Sequence, residues 1–317
     1  MTEATFQVAF SGPHVTIQDA GRPGLMRYGV PASGPMDRSS FALANAALGN
    51  PADHACVEIS RGGLSLRCLS GAVTLALVGG GFIAEIAGRK LGAWNAFAIR
   101  AGETLSIRPG PWGSWCYLSF AGRLEAATWL GSRATHGASG FGGGRLAAGQ
   151  VLTITDAQSL PMREGALRCP VWARPRHVLR CTLGPQDRFF ADETLATFTS
   201  ARFEATDAVD RMGMRLRGPA IAPANALSIP SEPILRGSVQ VAGDGTATVL
   251  LSDHQTTGGY PKIATVLGCD LDAFVQCRPR DAVVFQAVSP AEAIAITRQN
   301  AQRLAAFEDR LRARQMP

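Results

Sequence analysis

Short apolar runs of about five residues, each closed by glycine or proline, alternate with polar residues along most of the chain. GAVTLALVGGGFIAEIAGRKLGAWNAFAIRAGETLSIRPG (residues 71–110) is the densest example, and it predicts several short strands rather than helices. GTATVLLSD (245–253) and DAVVFQAV (281–288) predict two further buried strands, from their length and β-branched content. Helical spacing stands out at two places. SSFALANAALGN (39–50) offers a serine cap, good helix formers and Gly49 as a stop. Near the C-terminus, Ser289, Pro290 and Glu292 provide an N-cap, a proline at the first helical position and a capping-box acid. Ile296, Leu304, Phe307 and Leu311 then recur near a 3.6 period and predict an amphipathic helix docked by one face. The pattern is that of a mainly β protein with a few short helices and a C-terminal helix.

At 317 residues the chain is long enough for two domains. LPMREGALRCPVWARPRH (160–177) has three prolines and no sustained period, which places the division there, with domains at 1–170 and 171–317. FSGPH (10–14) and TLGPQD (182–187) share a rhythm too short to establish a repeat. A 46% hydrophobic and 18% charged composition describes a chain able to bury a core. The net charge of +6 comes from scattered arginines, dense only in RLRARQ (310–315), so no nucleic-acid partner is expected. Lys90 and Lys262 are the only lysines. Seven cysteines without a CxxC pair or zinc-type histidine spacing read as reduced core residues, and no metal site is expected. MTEATFQVAF lacks the basic-then-apolar order of a secretory leader, and no run approaches the roughly 18 apolar residues of a membrane span. The expectation is a cytoplasmic protein with no membrane partner.

Two stretches concentrate polar chemistry. Residues 16–45 set Gln18, Asp19, Arg22 and Asp37 among glycines and prolines, a loop suited to orienting a polar small molecule, with Arg22 as a fork for an anion. The bland alternative is that Asp19 and Arg22 pair and pin the loop. SDHQTTGGYPKIA (252–264) follows an apolar run. There Asp253 or His254 is suited to handling protons and Lys262 to holding an anionic oxygen, while Gly258 and Gly259 turn the chain so that Lys262 and Tyr260, a further catalytic candidate, double back. Gln255, Thr256 and Thr257 in this stretch, with Ser231, Glu232 and Gln240 before it, complete the candidate substrate-binding set. GFGGGR (140–145) lacks the strand and helix of a nucleotide loop and reads as a turn between strands. No Gly-x-Ser-x-Gly elbow is present, so a covalent acyl-enzyme is not the first expectation.

Longer ordered motifs carry a resemblance through nearly the whole chain. They are Thr16-Ile17-Gln18-Asp19-x-Gly21-Arg22-x-Gly24, Gly29-Val30-Pro31, Gly34-Pro35-Met36-Asp37, Ala44-Asn45 and Gly49-Asn50 in the first half. The second half adds Arg211-x-Gly213-x-Arg215-Leu216-x-Gly218, Ser231-Glu232, Gly237-x-Val239-Gln240-Val241 and the run Asp253 to Lys262. The chain resembles the carboxyltransferase subdomain A/B family, which takes in allophanate hydrolase subunit 2-like proteins, the C-type component of 5-oxoprolinase, the antagonist of the Kip kinase inhibitor and the carboxyltransferase part of urea carboxylase. The resemblance implies two cyclophilin-like β-barrel domains and a shared active region holding the loops near Asp19 and Lys262. It implies three alternative functions. The first is the C-type component of an ATP-dependent 5-oxoprolinase complex, with ATP shared with a B-type (Kip inhibitor-type) partner, an A-type hydrolase and a small amide substrate. The second is carboxyl transfer to urea or a related amide from biotin on a separate carrier. The third is a non-catalytic Kip antagonist. Three positions depart from the family pattern: Arg236 and Ala242 stand where prolines are expected, and Arg280 stands where a glycine is usual, a place that calls for positive φ.

Overall fold

The alternating runs become strands in a computed structural model that describes residues 2–224 and 228–314. The chain divides into two compact units. The first holds residues up to 22, then 33–174, and from 303 onward; the second holds 23–32 and 175–302.

In the first unit the strands are β1 (Glu3–Ser11), β2 (Thr16–Gln18), β3 (Cys56–Ser60), β4 (Leu64–Ser70), β5 (Ala72–Gly79), β6 (Ile83–Ile86) and β7 (Arg89–Gly92). They continue as β8 (Asn95–Arg100), β9 (Thr104–Arg108), β10 (Trp115–Phe120), β11 (Arg123–Leu124), β12 (Val151–Thr155) and β13 (Gly165–Ala166). Two sheets result, ordered β11-β12-β1-β4-β9-β6-β7 and β13-β8-β5-β10-β3-β2. Strands β1 and β9 bury alternate residues, Phe6, Val8, Leu105 and Ile107 among them, because only one face meets the core. β5 and β10 are almost wholly buried, since helix α1 (Arg38–Leu48) covers their other face. Gly49 in the left-handed region ends α1 as expected, but its cap is Asp37 rather than a serine: Asp37 Oδ1 accepts from Ser40 N at 2.9 Å.

The second unit is a closed barrel built from β14 (Val178–Leu183), β15 (Phe203–Val209), β16 (Gly213–Arg217), β18 (Ser238–Val241), β19 (Ala247–Leu250), β21 (Lys262–Val266) and β22 (Ala282–Ala287). Its order is β14-β21-β18-β19-β16-β15-β22, and a parallel β14–β22 pair closes the ring. Val239, Val249, Met214 and Phe285 fill the interior, and Phe198 of α2 (Asp192–Ser200) stacks on Phe285 at 4.4 Å. Arg180 on β14 grips Asp270 of α3 (Gly268–Phe274). A separate two-strand ladder joins β17 (Glu232–Pro233) to β20 (Thr257–Gly258).

Helix α4 (Pro290–Arg312) opens with the expected capping box: Ser289 N donates to Glu292 Oε2 at 2.8 Å, and Glu292 N donates to Ser289 Oγ at 3.3 Å. Its last turns cluster with the first unit, not with residues 171–302, because Phe307 and Leu311 are buried in that unit's core and Phe307 meets Trp172 edge-on. Arg163 donates to the carbonyls of Leu311 and Arg312, satisfying the helix end. The proline-rich stretch 160–177 is therefore only partly connection: β13 within it extends the edge of β8, and the units separate after residue 174.

Candidate functional site

The second barrel aligns polar residues across its wall. Arg215 on β16 pairs with Thr248 on β19, which pairs with Gln240 on β18. Directly opposed residues of antiparallel strands share a face. The neighbouring row Met214–Val249–Val239 is buried in the barrel interior, so Arg215, Thr248 and Gln240 face outward. A register shift between Val239 and Gln240 then sets Lys262 of β21 opposite Gln240, a bulge of the kind that re-aims side chains beside active sites. A cavity of about 650 Å³ lies on this wall, lined by Arg215, Thr248 and Gln240 with Gln255 and Tyr260.

Two buried donors distinguish the place. Gln240 is 5% exposed and Lys262 2% exposed, yet neither Gln240 Nε2 nor Lys262 Nζ has a hydrogen-bond partner. Burying such groups unpaired costs free energy, so they favour a ligand that brings acceptors. Lys262 Nζ lies 3.9 Å from Glu232 Oε2. Burial lowers its pKa, and the carboxylate opposes that shift in part. Gln186, 1% exposed, braces both ends: its Oε1 accepts from Lys262 N at 2.9 Å and its Nε2 donates to Glu232 Oε2 at 2.6 Å.

The loop 252–264 divides its labour. Asp253 gives both carboxylate oxygens to Arg211, at 2.9 and 3.0 Å, in a buried fork. A carboxylate so held clamps the loop, and a proton-carrying role does not suit it. His254 Nδ1 sits 2.6 Å from the carbonyl of Gln255, an oxygen that only accepts, so Nδ1 carries the proton. Thr256 and Thr257 contribute backbone: Thr256 O accepts from Ile234 N, and Thr257 pairs with Pro233. Neither Gly258 nor Gly259 turns the chain by positive φ; close approach demands them instead. A Cβ on Gly258 would lie 2.5 Å from Gln240 Nε2, and one on Gly259 would lie 3.0 Å from Ile229 O and 3.8 Å from Ser231 Oγ. Tyr260 is half exposed at the cavity mouth.

The candidates of the first half belong to the other unit and hold its own loops. Gln18 Nε2 donates to Thr16 Oγ1 and to Thr135 O, leaving Oε1 without a partner. Asp19 accepts from Gly21 N, Ser132 Oγ and the backbone of Arg133 and Ala134. Arg22 donates to the carbonyls of Trp129 and Ala134 and lies over the Trp129 ring at 4.9 Å. Asp37, expected to bind substrate, is the α1 cap, and its own N–H donates to Tyr117 Oη at 2.7 Å. Gly142 and Gly143 of GFGGGR pack against Ala134 and Ile17 too tightly for any Cβ, which explains that glycine run without a nucleotide.

Against known proteins, residues 28–287 match the carboxyltransferase domain, subdomain A and B. The chain belongs to this family. It is 31% identical to the C subunit of 5-oxoprolinase from Haemophilus influenzae over 90% of this chain and 92% of that protein. It is 28% identical to urea amidolyase of Saccharomyces cerevisiae, covering 89% of this chain and 16% of that protein. The crystal structure of Kluyveromyces lactis urea carboxylase superposes at a TM-score of 0.84 and 26% identity, over 97% of this chain and 29% of that one.

In this carboxyltransferase family chain, Gln186 and Arg211 serve the site without a local sequence signal that marks them. Gln186 lies in TLGPQD, where only the rhythm stands out, and its two contacts join segments 46 and 76 residues away. Arg211 opens a family motif, but nothing local names Asp253 as its partner. Burial pushes the thiols of Cys56, Cys181 and Cys277 up to about 12, which keeps them protonated. Among the described residues no three His, Cys, Asp or Glu side chains are grouped to hold a metal ion. No helix among them is long and apolar enough to cross a membrane.

Proposed function

We propose that this chain is the C-type component of an ATP-dependent 5-oxoprolinase complex and holds the lactam while a B-type partner and an A-type hydrolase complete the reaction. The observation that carries the reading is the likeness to the 5-oxoprolinase C subunit through 92% of that protein's length. The geometry supports it: Gln240 Nε2 and Lys262 Nζ are buried donors suited to an amide oxygen that gains negative charge as the ring is activated. His254, its tautomer set by Gln255 O, is the side chain of the loop best placed to carry a proton, since Asp253 is engaged by Arg211.

ATP supplies the driving force of such a reaction, but the second-unit cavity does not fit its phosphates. Asp207, Asp210 and Asp244 line it against the single guanidinium of Arg215, and a polyphosphate would be repelled. ATP is accordingly assigned to the partner side, and no step of this chain's chemistry runs through it.

The test is turnover of 5-oxoproline by this chain reconstituted with its A-type and B-type partners and ATP. Wild type turns over, and Lys262→Met lowers kcat by about a hundredfold while the complex still assembles. Turnover appearing only with urea and a biotinylated carrier protein would transfer the chain to carboxyl transfer, the activity named for the urea carboxylase neighbour. Assembly without turnover in either assay would leave a binding role of the Kip antagonist kind.

A further inference from the structure

The outward row of the second barrel is more specific than an amide site requires. We infer that Arg215, Thr248 and Gln240 form a subsite for a small lactam bearing one carboxylate, in which Gln240 reads the ring amide and Arg215 holds the carboxylate. The inference rests on the proposed function and names how its substrate is recognised.

Gln240 provides the first half. Its side chain is 95% buried, since only 5% is exposed, and it lines the cavity. Its Oε1 takes a long contact of 3.5 Å from Gln255 Nε2, while its Nε2 has no acceptor. The remaining capacity of the pair is thus one donor, Gln240 Nε2, and one acceptor, Gln255 Oε1, both amide groups of cavity-lining residues. A ring lactam is a cis amide with C=O and N–H on one edge, the complement of that pair.

Arg215 provides the second half. It stands two strands from Gln240 on the same face, about 10 Å away by strand spacing, with Thr248 between them. Its guanidinium makes no contact-range ion pair or side-chain hydrogen bond among the described residues, and its charge reaches Asp244 only weakly, after the Thr246 hydrogen bonds that chiefly lower that carboxyl's pKa. The nearby carboxylates are occupied locally: Asp210 Oδ1 accepts from Met212 N and Gly213 N, and Asp244 Oδ1 accepts from Thr246 N. With Asp207 they keep the lining net negative, so one carboxylate paired to Arg215 is admitted and a more highly charged anion is not. Urea, which has no carboxylate, makes no use of Arg215.

The experiment titrates the full-length chain, by calorimetry, with 5-oxoproline, with 2-pyrrolidinone (the same ring without the carboxylate) and with urea, and measures KM in the reconstituted complex. Arg215→Met weakens 5-oxoproline binding, or raises its KM, by about tenfold to a hundredfold and leaves 2-pyrrolidinone binding unchanged. Gln240→Leu weakens both lactams. The subsite is overturned if Arg215→Met weakens both lactams alike, or if neither its affinity nor its KM for 5-oxoproline moves. Circular dichroism of each variant reports a folding defect separately. A wild-type complex that uses urea and ignores 5-oxoproline would overturn the proposed function itself; 5-oxoproline turnover at an unchanged KM in Arg215→Met would overturn only the subsite.

Discussion

Arg280 shows what one residue does against its backbone. It sits at φ 76°, the left-handed region that favours glycine, while its N–H donates to Ala205 O. Arg280→Gly removes the steric penalty but adds unfolded-state entropy, and the balance is a gain of about 0.5 kcal/mol, read from the urea midpoint at unchanged m-value. Asp253 and Arg211 are a buried pair, so Asp253→Ala breaks the fork and costs about 3–5 kcal/mol. A double variant with Arg211→Met costs less than the sum of the two single changes, a difference measured by a thermal double-mutant cycle. Lys262 adds a pH dependence. Its folded pKa is lowered, so between that value and the ordinary 10.5 the unfolded chain binds more protons and stability rises with pH. Relative to Lys262→Met, the wild type gains stability as pH rises through that window below 10.5, as denaturation at stepped pH would report.

Among the elements, caps and close approaches fix where helices end and strands meet. The capping box of α4 is exposed and complete, so Ser289→Ala costs about 1 kcal/mol, detectable as faster amide exchange in the first turn of the helix. β20 touches the Gln240 amide through Gly258, whose added Cβ would lie 2.5 Å from Gln240 Nε2 and 3.3 Å from the buried Ile234 Cδ1. Gly258→Ala therefore weakens lactam binding by displacing the Gln240 amide, and lowers the melting temperature by far less than a core substitution does. That split between stability and affinity would not follow if Gly258 served a turn. Strand existence was legible in the sequence because period-2 burial and glycine punctuation are local properties, as in β1 and β9. The α1 cap was misread because Asp37, Ser39 and Ser40 all satisfy the local rule, and burial beside Tyr117 chose among them.

For the whole molecule, the telling feature is where the C-terminal helix spends its apolar face. Phe307 and Leu311 join the core of the first unit, so removing residues 303–317 uncovers Trp172 and lowers that unit's melting temperature, with a loss of near-ultraviolet dichroism. A chain cut into 1–170 and 171–317 would part Phe307 and Leu311 from the core residues below 170 that they join. Gln18, Asp19, Arg22 and Asp37 belong to the first unit, residues 23–32 of the same loop to the second, and Gln240 and Lys262 to the second.

The sequence by itself determined the mainly β class, the helix and its capping box at Ser289, the family, and the concentration of chemistry in 252–264, since each is written in neighbouring residues. Only the tertiary structure decided which of those polar groups were committed and which were left unpaired. Arg211 takes Asp253 from 42 residues away, Gln186 braces Lys262 from 76, and a shift of register sets Lys262 opposite Gln240. Pairing across strands depends on register and closure of the barrel, quantities that no local pattern encodes.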